Sequence, residues 1–419
     1  MNAHIISIGD ELLIGQTVNS NASFIGKALT EIQINVQKIS VVGDDKKSLL
    51  NEFKEAFANS EIIIATGGLG PTHDDITREA VVEFFNTHLI KSDEVLEDIY
   101  NRFARLGREV AKINETQAMV PAIGRVIRNY HGTAPGYWIS EKGKIFIVMP
   151  GVPFEMKAMM NEFVIDKLKE IVDSTLTTVK KQSTLQTTGI AESTLFERLG
   201  NLDELLNGAK LAFLPSQFGV KLRITVEEKD EEDANSKLSE IEQKIRGLAG
   251  RFIFGRGDEE LYEVVAKLLV SRGLTLSIAE SCTGGYIANL LTNVSGSSKY
   301  FERGIISYSN AAKVELLKVD EDLIAQHGAV SLEVARQMAD GVRAISVTDI
   351  GIAVTGIMGP LGGTSEKPVG TVYIGFCDQK VCTAFKLQFG DDRIMNKQRT
   401  AQAVLDTIRK YILGIPFEA

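Results

Sequence analysis

The sequence predicts an α/β protein in which two α/β domains are joined by a small α+β domain, and three observations lead there. Over residues 1 to 165, short β-branched runs alternate with helical patterns; from about 178 to 255 the texture changes to strand-rich, charged segments; from about 258 to 413 the alternation resumes. The chain also has 419 residues at 44% hydrophobic, more than one core usually holds, since single cores stop growing at about 250–300 residues.

The elements follow in order. "HIISIG" reads as a strand, "SNASFIGKALTEI" as a helix, "NVQKISVVG" as a strand, "KSLLNEFKEAF" as a helix and "EIIIATGG" as a buried strand. Strands separated by helical patterns predict parallel pairing through crossover helices. The middle segment offers "TVKKQSTLQTTG", the short helix "AESTLFERL", then "AKLAFLP" and "GVKLRITVEE" before a charged helix. The last third runs through "RGDEELYEVVAKLLVSRG", "LTLSIAES", "GYIANLLTNV", "FERGIISYS", "LEVARQMADGVRAI" and "DIGIAVTG" to the terminal helix "RIMNKQRTAQAVLDTIRKYI". Boundaries are expected to give domains at 1–168, 169–257 and 258–419. The two α/β parts share no fixed-period repeat.

Composition narrows the function classes. Lys and Arg total 46 against 55 for Asp and Glu, a net charge of −9, which disfavours a nucleic-acid partner bound through its phosphates. Small anionic nucleotides remain open, because local loops can bind them. No stretch of about 18 apolar residues occurs, and the first residues lack a basic segment followed by an apolar run, so no membrane association is expected. Three cysteines, Cys282, Cys377 and Cys382, form no CxxC pair; Cys377 and Cys382 flank "DQKV", a hairpin tip, and read as strand residues, and the odd number points to a reducing compartment, most simply the cytoplasm. Among the histidines, His73 lies in a glycine-rich loop where it can touch a ligand; His4, His88, His131 and His327 have no metal-ligand spacing.

The first chemical cluster is "TGGLGPTHDDITREA", residues 66 to 80. It follows an apolar strand and precedes a helix, so Thr66, Gly67, Gly68, Gly70, Pro71 and Thr72 lie where backbone amides can approach a phosphate. Asp74 and Asp75 come next, and paired carboxylates there can seat a divalent metal; Asp75 can equally cap the helix expected from Ile76. "IGDELLIGQTVNSN" opens on the same carboxyl edge of the sheet, bringing Asp10, Glu11, Asn19 and Asn21 into reach.

"GDELLIGQTVNSN", "TGGLGPTHDDITREA", "GTAPGYW" and "MPGVPFEM" together resemble the molybdopterin-binding-like domain at the N-terminus of the CinA family, over most of residues 1 to 165. The resemblance implies metal-dependent hydrolysis of the pyrophosphate of ADP-ribose or a related dinucleotide. It places Asp10, Glu11, Asn19, the loop from Thr66 to Thr72, Asp74 and Glu155 around the nucleotide, with Asp75 on a divalent metal. The base for the attacking water stays open among Asp74, Glu11 and Glu155.

The second cluster is "LTLSIAESCTGG", an apolar strand entering a glycine-bearing turn before the helix "GYIANLLTNV". Ser281 sits at that turn with the amides of Thr283, Gly284 and Gly285 near it, the outline of an oxyanion hole. A serine here can also be only a helix N-cap. Tyr308 and Lys313 follow on the neighbouring strand-to-helix turn, with Lys313 opening a helix whose apolar face is Val314, Leu316 and Leu317. A partly desolvated lysine loses preference for its charged form and can take the serine proton. Cys282 is a competing nucleophile, though a small buried residue is the ordinary role of such a cysteine.

"AESCTGG", "FERGIISYSNAAK", "HGAVS", "VTGIMGP" and "KPVGTVY" resemble, in order, the nicotinamide mononucleotide deamidase domain of the same family across residues 258 to 413. The resemblance implies that Ser281 attacks the carboxamide, that Tyr308 and Lys313 serve proton transfer, and that no cofactor is needed. It also implies substrate contacts from Thr283, Gly284, Gly285, Gly356 and Gly359. Met358 and Leu361 depart from the residues expected in that last loop, so its contacts are less defined. The middle segment is similar to the family's KH-like linker; its "EEKDEEDANSKLSEIEQKIR" holds eight acids against four bases, which favours packing over RNA binding. The expected whole is a homodimeric, bifunctional hydrolase of pyridine nucleotides. The alternatives are a deamidase whose N-terminal domain only binds a nucleotide or pterin, and a non-catalytic competence-related interaction protein.

Overall fold

The computed structural model describes residues 1–72, 75–173 and 178–417. Contacts divide it into two compact units, Met1–Thr177 and Thr178–Ala419, and each is described by itself.

The N-terminal unit is built on β1 (Asn2–Ile8), β2 (Asn35–Val42), β3 (Ile62–Thr66), β4 (Leu89–Lys91), β5 (Met119–Pro121), β6 (Arg125–Ile127), β7 (Gly136–Glu141) and β8 (Lys144–Met149). Six of these form one sheet in the order β2-β1-β3-β8-β7-β6, and β4 pairs with β5. The first four sheet strands are parallel, as the alternation with helices predicts; β7 and β6 then return antiparallel. Both sheet faces are covered, and the period of two in each strand divides its residues between them. Ile62 and Ile64 pack with Ile25 and Met156 on one face. Ile63 and Ala65 pack with Phe53 and Val81 on the other. The carboxyl ends of β1 and β3 carry both loops singled out from the sequence.

The C-terminal unit begins with β9 (Val179–Thr187), β10 (Lys210–Pro215), β11 (Val220–Glu228) and β12 (Ile253–Arg256), an antiparallel sheet in the order β10-β11-β9-β12 under the helix Glu231–Ala249. It continues with β13 (Leu276–Glu280), β14 (Phe301–Ile306), β15 (Ile350–Gly356), β16 (Thr371–Cys377) and β17 (Cys382–Gln388), ordered β14-β13-β15-β16-β17. The first three are parallel and the last two antiparallel. The small sheet joins the larger one through polar groups as well as apolar ones. Arg409, 1% exposed, donates to Asp406 and to the carbonyls of Arg251 and Ile253. A buried guanidinium needs such saturation, and this one fastens the terminal helix to β12.

The cysteines depart from the sequence reading. Cys377 and Cys382 face each other in the β16–β17 register and are joined by a disulfide, leaving Cys282 as the free cysteine. The hairpin around "DQKV" is the one the sequence suggests; what it does not suggest is the covalent link across it, since the spacing is not that of a CxxC turn. Among the described residues, no helix is long and apolar enough to cross a membrane.

Candidate active site at the carboxyl edge of the C-terminal sheet

Three parallel strands, β14, β13 and β15, end side by side, which is where ligands of open α/β sheets bind. β13 ends at Glu280, and the chain turns through Ser281 to Gly285 before the helix Tyr286–Thr292. Gly284 and Gly285 have φ of +61° and +91°, values that exclude most side chains and account for the glycine pair. The turn is fastened from within. Glu280, 1% exposed, accepts hydrogen bonds from the amides of Gly285 (3.0 Å), Ile287 (3.2 Å) and Ala288 (2.8 Å). A carboxylate at a helix N-terminus satisfies donors that the helix itself cannot. The Gly285 amide is thereby occupied, so the expected donor set for an oxyanion shrinks to Thr283 and Gly284, whose amides donate to no protein acceptor among the described residues.

Lys313 comes from the adjacent turn. β14 ends at Ile306, and Ser309 caps the helix Asn310–Leu317 by accepting from the Ala312 amide. The first turn of that helix directs Lys313 inward, where it is 1% exposed. Its Nζ stands 3.1 Å from Ser281 Oγ and donates to the carbonyls of Ser307 (2.8 Å) and Tyr308 (3.5 Å). No carboxylate pairs with it among the described residues. Burial lowers its pKa from the ordinary value of 10.5, opposed only by the nearby Cys282 thiol. A neutral amine has two N–H donors and one lone pair. Here Nζ donates to both carbonyls and to Ser281 Oγ; in the neutral form the two carbonyls would match the two donors and the serine hydroxyl would face the lone pair. The helix's apolar face differs from the expectation at Leu316, which is exposed, whereas Leu317 is buried.

Cys282 is 6% exposed, and burial pushes its thiol up to about 12. It is protonated at neutral pH and packs in the core with Ile278 and Met358, the reading of a small buried residue. Tyr308 is 62% exposed; its hydroxyl accepts from Arg393 at 3.2 Å and makes no hydrogen bond with Ser281 among the described residues. Ser281, Tyr308, Asn310, Lys313, Gly356, Met358 and Arg393 line one cavity of about 230 Å³. Gly359 stands behind it, its carbonyl accepting from Arg393 at 3.0 Å. Met358 is buried in the wall, and Leu361 is 85% exposed.

Sequence reasoning missed Arg393, Asn310 and the role of Glu280. Arg393 opens the terminal helix Arg393–Leu413, and only tertiary folding carries that helix start to the ends of β14 and β15. Glu280 carried no ordinary capping signal: it ends β13, well before the N-cap Gly285, and only the fold of the turn brings its carboxylate to the helix amides.

The N-terminal cluster is less converged. Glu11, Asn19 and Thr66 line a cleft of about 90 Å³ with Ser7, Asn21 and Gly151. Asn19 caps the helix Ser20–Glu31 through the Ala22 amide and donates to Ser7 Oγ. Asn21 Oδ1 is buried without a hydrogen-bond partner. Gly67 has φ of +118°, and a Cβ there would lie 2.2 Å from the Ile8 carbonyl; Gly68 and Gly70 leave similar room to Thr77 and Asp75. Pro71 and Thr72 lie on the surface side of the loop. Asp10 is exchanged with the Asp44 segment, its carboxylate accepting from the Asp44 amide. Glu155 accepts from Asn129 at 2.7 Å. Asp75 accepts from the Thr72 amide and hydroxyl, which closes its own turn. Among the described residues, no group of three ligating side chains gathers around Asp75; His73 and Asp74 lie outside the described residues. The described donors therefore do not make up a divalent-metal site.

A serine and a buried lysine thus meet at the carboxyl edge of a three-stranded parallel segment of an α/β sheet. Family profiles match along the chain: a probable molybdopterin binding domain at 4–170, the KH domain of damage-inducible protein CinA at 182–255, and the CinA C-terminal domain at 258–412. A provisionally named competence-damage inducible protein of Caldicellulosiruptor saccharolyticus is 44% identical over 414 residues, covering 99% of this chain and 100% of the relative. A CinA-like protein of Kosmotoga olearia is 41% identical over 415 residues, with 99% and 100% covered. The crystal structure of the protein CinA with unknown function from Thermoplasma acidophilum is 36% identical, covering 39% of this chain and 96% of that one at a TM-score of 0.37. The chain belongs to the CinA family.

The protonation state of Cys282 is open to direct test. Incubation with iodoacetamide at about pH 8 is expected to leave Cys282 of the folded chain unmodified by peptide mass analysis, because a thiolate is the reactive form. Rapid alkylation of folded protein would restore the thiol as a nucleophile.

Proposed function

We propose that the C-terminal unit hydrolyses the carboxamide of nicotinamide mononucleotide to the carboxylate and ammonia. One observation carries the reading: Lys313 Nζ lies 3.1 Å from Ser281 Oγ, buried and without a carboxylate. The family resemblance supplies the substrate. In the first half-reaction, Ser281 Oγ bonds to the carboxamide carbon and its proton passes to Lys313 Nζ. The resulting oxyanion faces the amides of Thr283 and Gly284. Lys313 then gives its proton to the amide nitrogen, the C–N bond breaks and ammonia leaves, with an ester left on Ser281. In the second half, water adds to that ester while Lys313 takes its proton, and the C–O bond to Ser281 breaks with return of the proton to the serine. Arg393, in the same cavity, is the cation available to the substrate phosphate, and its bond to Tyr308 holds that phenol at the rim.

Since the neutral amine is the active form, turnover should rise with pH through the Lys313 pKa, with a midpoint below 10.5. The sign agrees with stability. The unfolded chain binds this proton more tightly than the folded one, so stability also rises across that interval. Lys313→Arg keeps the charge but cannot give a neutral base and should cost about a hundredfold or more in ammonia release. Ser281→Ala should abolish turnover, whereas Cys282→Ala should retain it. An arginine variant as fast as the parent, or a rate without an acid limb, contradicts the proposal.

For the N-terminal unit we propose nucleotide binding at the cleft that holds Asn19 and Thr66, with hydrolysis of the ADP-ribose pyrophosphate as its activity. The supporting observation is Glu11, a cleft carboxylate that makes no side-chain hydrogen bond among the described residues, while Glu155 is already engaged by Asn129. No metal-dependent step is assigned. Glu11→Gln should lower ADP-ribose hydrolysis by about a hundredfold while deamidation persists; a near-parental rate leaves this unit a binding domain.

A further inference from the structure

A second cavity of the C-terminal unit measures about 470 Å³, against 230 Å³ at Ser281, and shares no lining residue with it. One wall is aromatic. Phe385, Leu387 and Phe389 alternate along and just beyond β17, so they share one face of the strand. Phe417 packs against Phe385 with ring centroids 6.4 Å apart, and Phe218 reaches the rim from the loop before β11. The opposite wall is the helix Arg393–Leu413, which presents Arg399, Gln402, Asp406 and Lys410 at spacings of three and four residues, a single helical face.

The charges in this wall do not cancel. Asp406 is held by Arg409 at 2.8 Å and Lys410 at 3.0 Å, so its carboxylate is saturated. Arg399 is half-buried and has no hydrogen-bond or ion-pair partner among the described residues. A guanidinium partly withdrawn from water and left without an acceptor is poised for an anion with bidentate geometry. Beside it stand four phenyl rings, which favour a flat ring by stacking and edge contact. The volume falls within the range of about 300–1,000 Å³ typical of small-molecule sites.

We propose that this cleft is a second ligand site, which binds a planar aromatic anion of mononucleotide size. The ring lies among Phe218, Phe385 and Phe389, and the anionic group pairs with Arg399. The same helix begins at Arg393 in the Ser281 cavity, about 9 Å from Arg399 along its axis at ~1.5 Å per residue, so the two sites share a rigid element. The site does not depend on the deamidase reading, and its test uses binding alone.

The test replaces Phe218 by tryptophan at the rim (Phe218→Trp); the chain's one natural tryptophan, Trp138, lies in the other unit. AMP should change the new fluorescence saturably, with adenosine and ribose 5-phosphate each weaker by about tenfold or more, as each lacks one half of the recognition. Nicotinate in a parallel titration distinguishes a carboxylate from a phosphate as the anion. Adding Arg399→Ala should weaken AMP about tenfold and leave adenosine unchanged. Because the rim substitution can itself disturb the cleft, the Arg399 side-chain NMR signal of the unsubstituted chain is followed under the same additions and should shift. The proposal is overturned if AMP produces no saturable change below about 5 mM, whatever nicotinate does, if the Arg399 signal stays still, or if Arg399→Ala binds AMP as the parent does.

Discussion

The C-terminal site rests on the burial of one amine without a counter-ion. Taking an ammonium out of water is costly unless a carboxylate or a full set of acceptors repays it. Lys313 has no carboxylate among the described residues, and of its three neutral acceptors, the Ser307 carbonyl, the Ser281 hydroxyl and the Tyr308 carbonyl, the last is at 3.5 Å. Burial without a counter-ion shifts its balance towards the neutral form, the form that the proposed base requires.

The surroundings follow from this constraint. The amine must be held while its neighbours stay fixed, and each strand end supplies one part. β14 provides the carbonyls and the helix that aims Lys313, and β13 provides Ser281 on a turn cinched by Glu280. β15 contributes Gly356 to the cavity floor. Glu280 spends its carboxylate entirely on backbone amides, so the buried acid two residues from Cys282 stabilises the turn without ion-pairing to Lys313. The N-terminal unit shows the contrast. Its carboxylates Asp10, Asp75 and Glu155 each bond to neighbouring groups, and Glu11 makes no side-chain hydrogen bond among the described residues.

Much of this was legible in the chain. The alternation of strand and helix patterns gave the parallel strands β1, β2, β3 and β13 to β15, because crossover helices are local in sequence. The reversed directions of β7 and β16 were not, since each of these strands is joined to its partner by a hairpin and not by a crossover helix. Ser281 and Lys313 were readable because each lies on a strand-to-helix turn, and parallel strands bring such turns together. Arg393 and Arg399 were hidden in an ordinary amphipathic helix, whose two ends serve different cavities only after it packs. Asp75 reads as a metal ligand or as a cap from sequence alone; its carboxylate instead accepts from Thr72 within the loop, and the helix Thr77–Phe84 has Ile76 at its N-cap with no side-chain cap bond, while Asp74 lies outside the described residues.

The central claim is that Lys313 loses its proton more readily than an ordinary lysine because it is buried without a counter-ion. Following the Lys313 side-chain NMR signals through a pH titration of the folded chain measures this at the atom concerned. The account predicts a midpoint below the ordinary lysine value of 10.5, moving further down when a cationic pyridinium ligand occupies the cavity, since a like charge disfavours the ammonium. A midpoint at or above 10.5 would make Lys313 a permanent cation and contradict its role as the base.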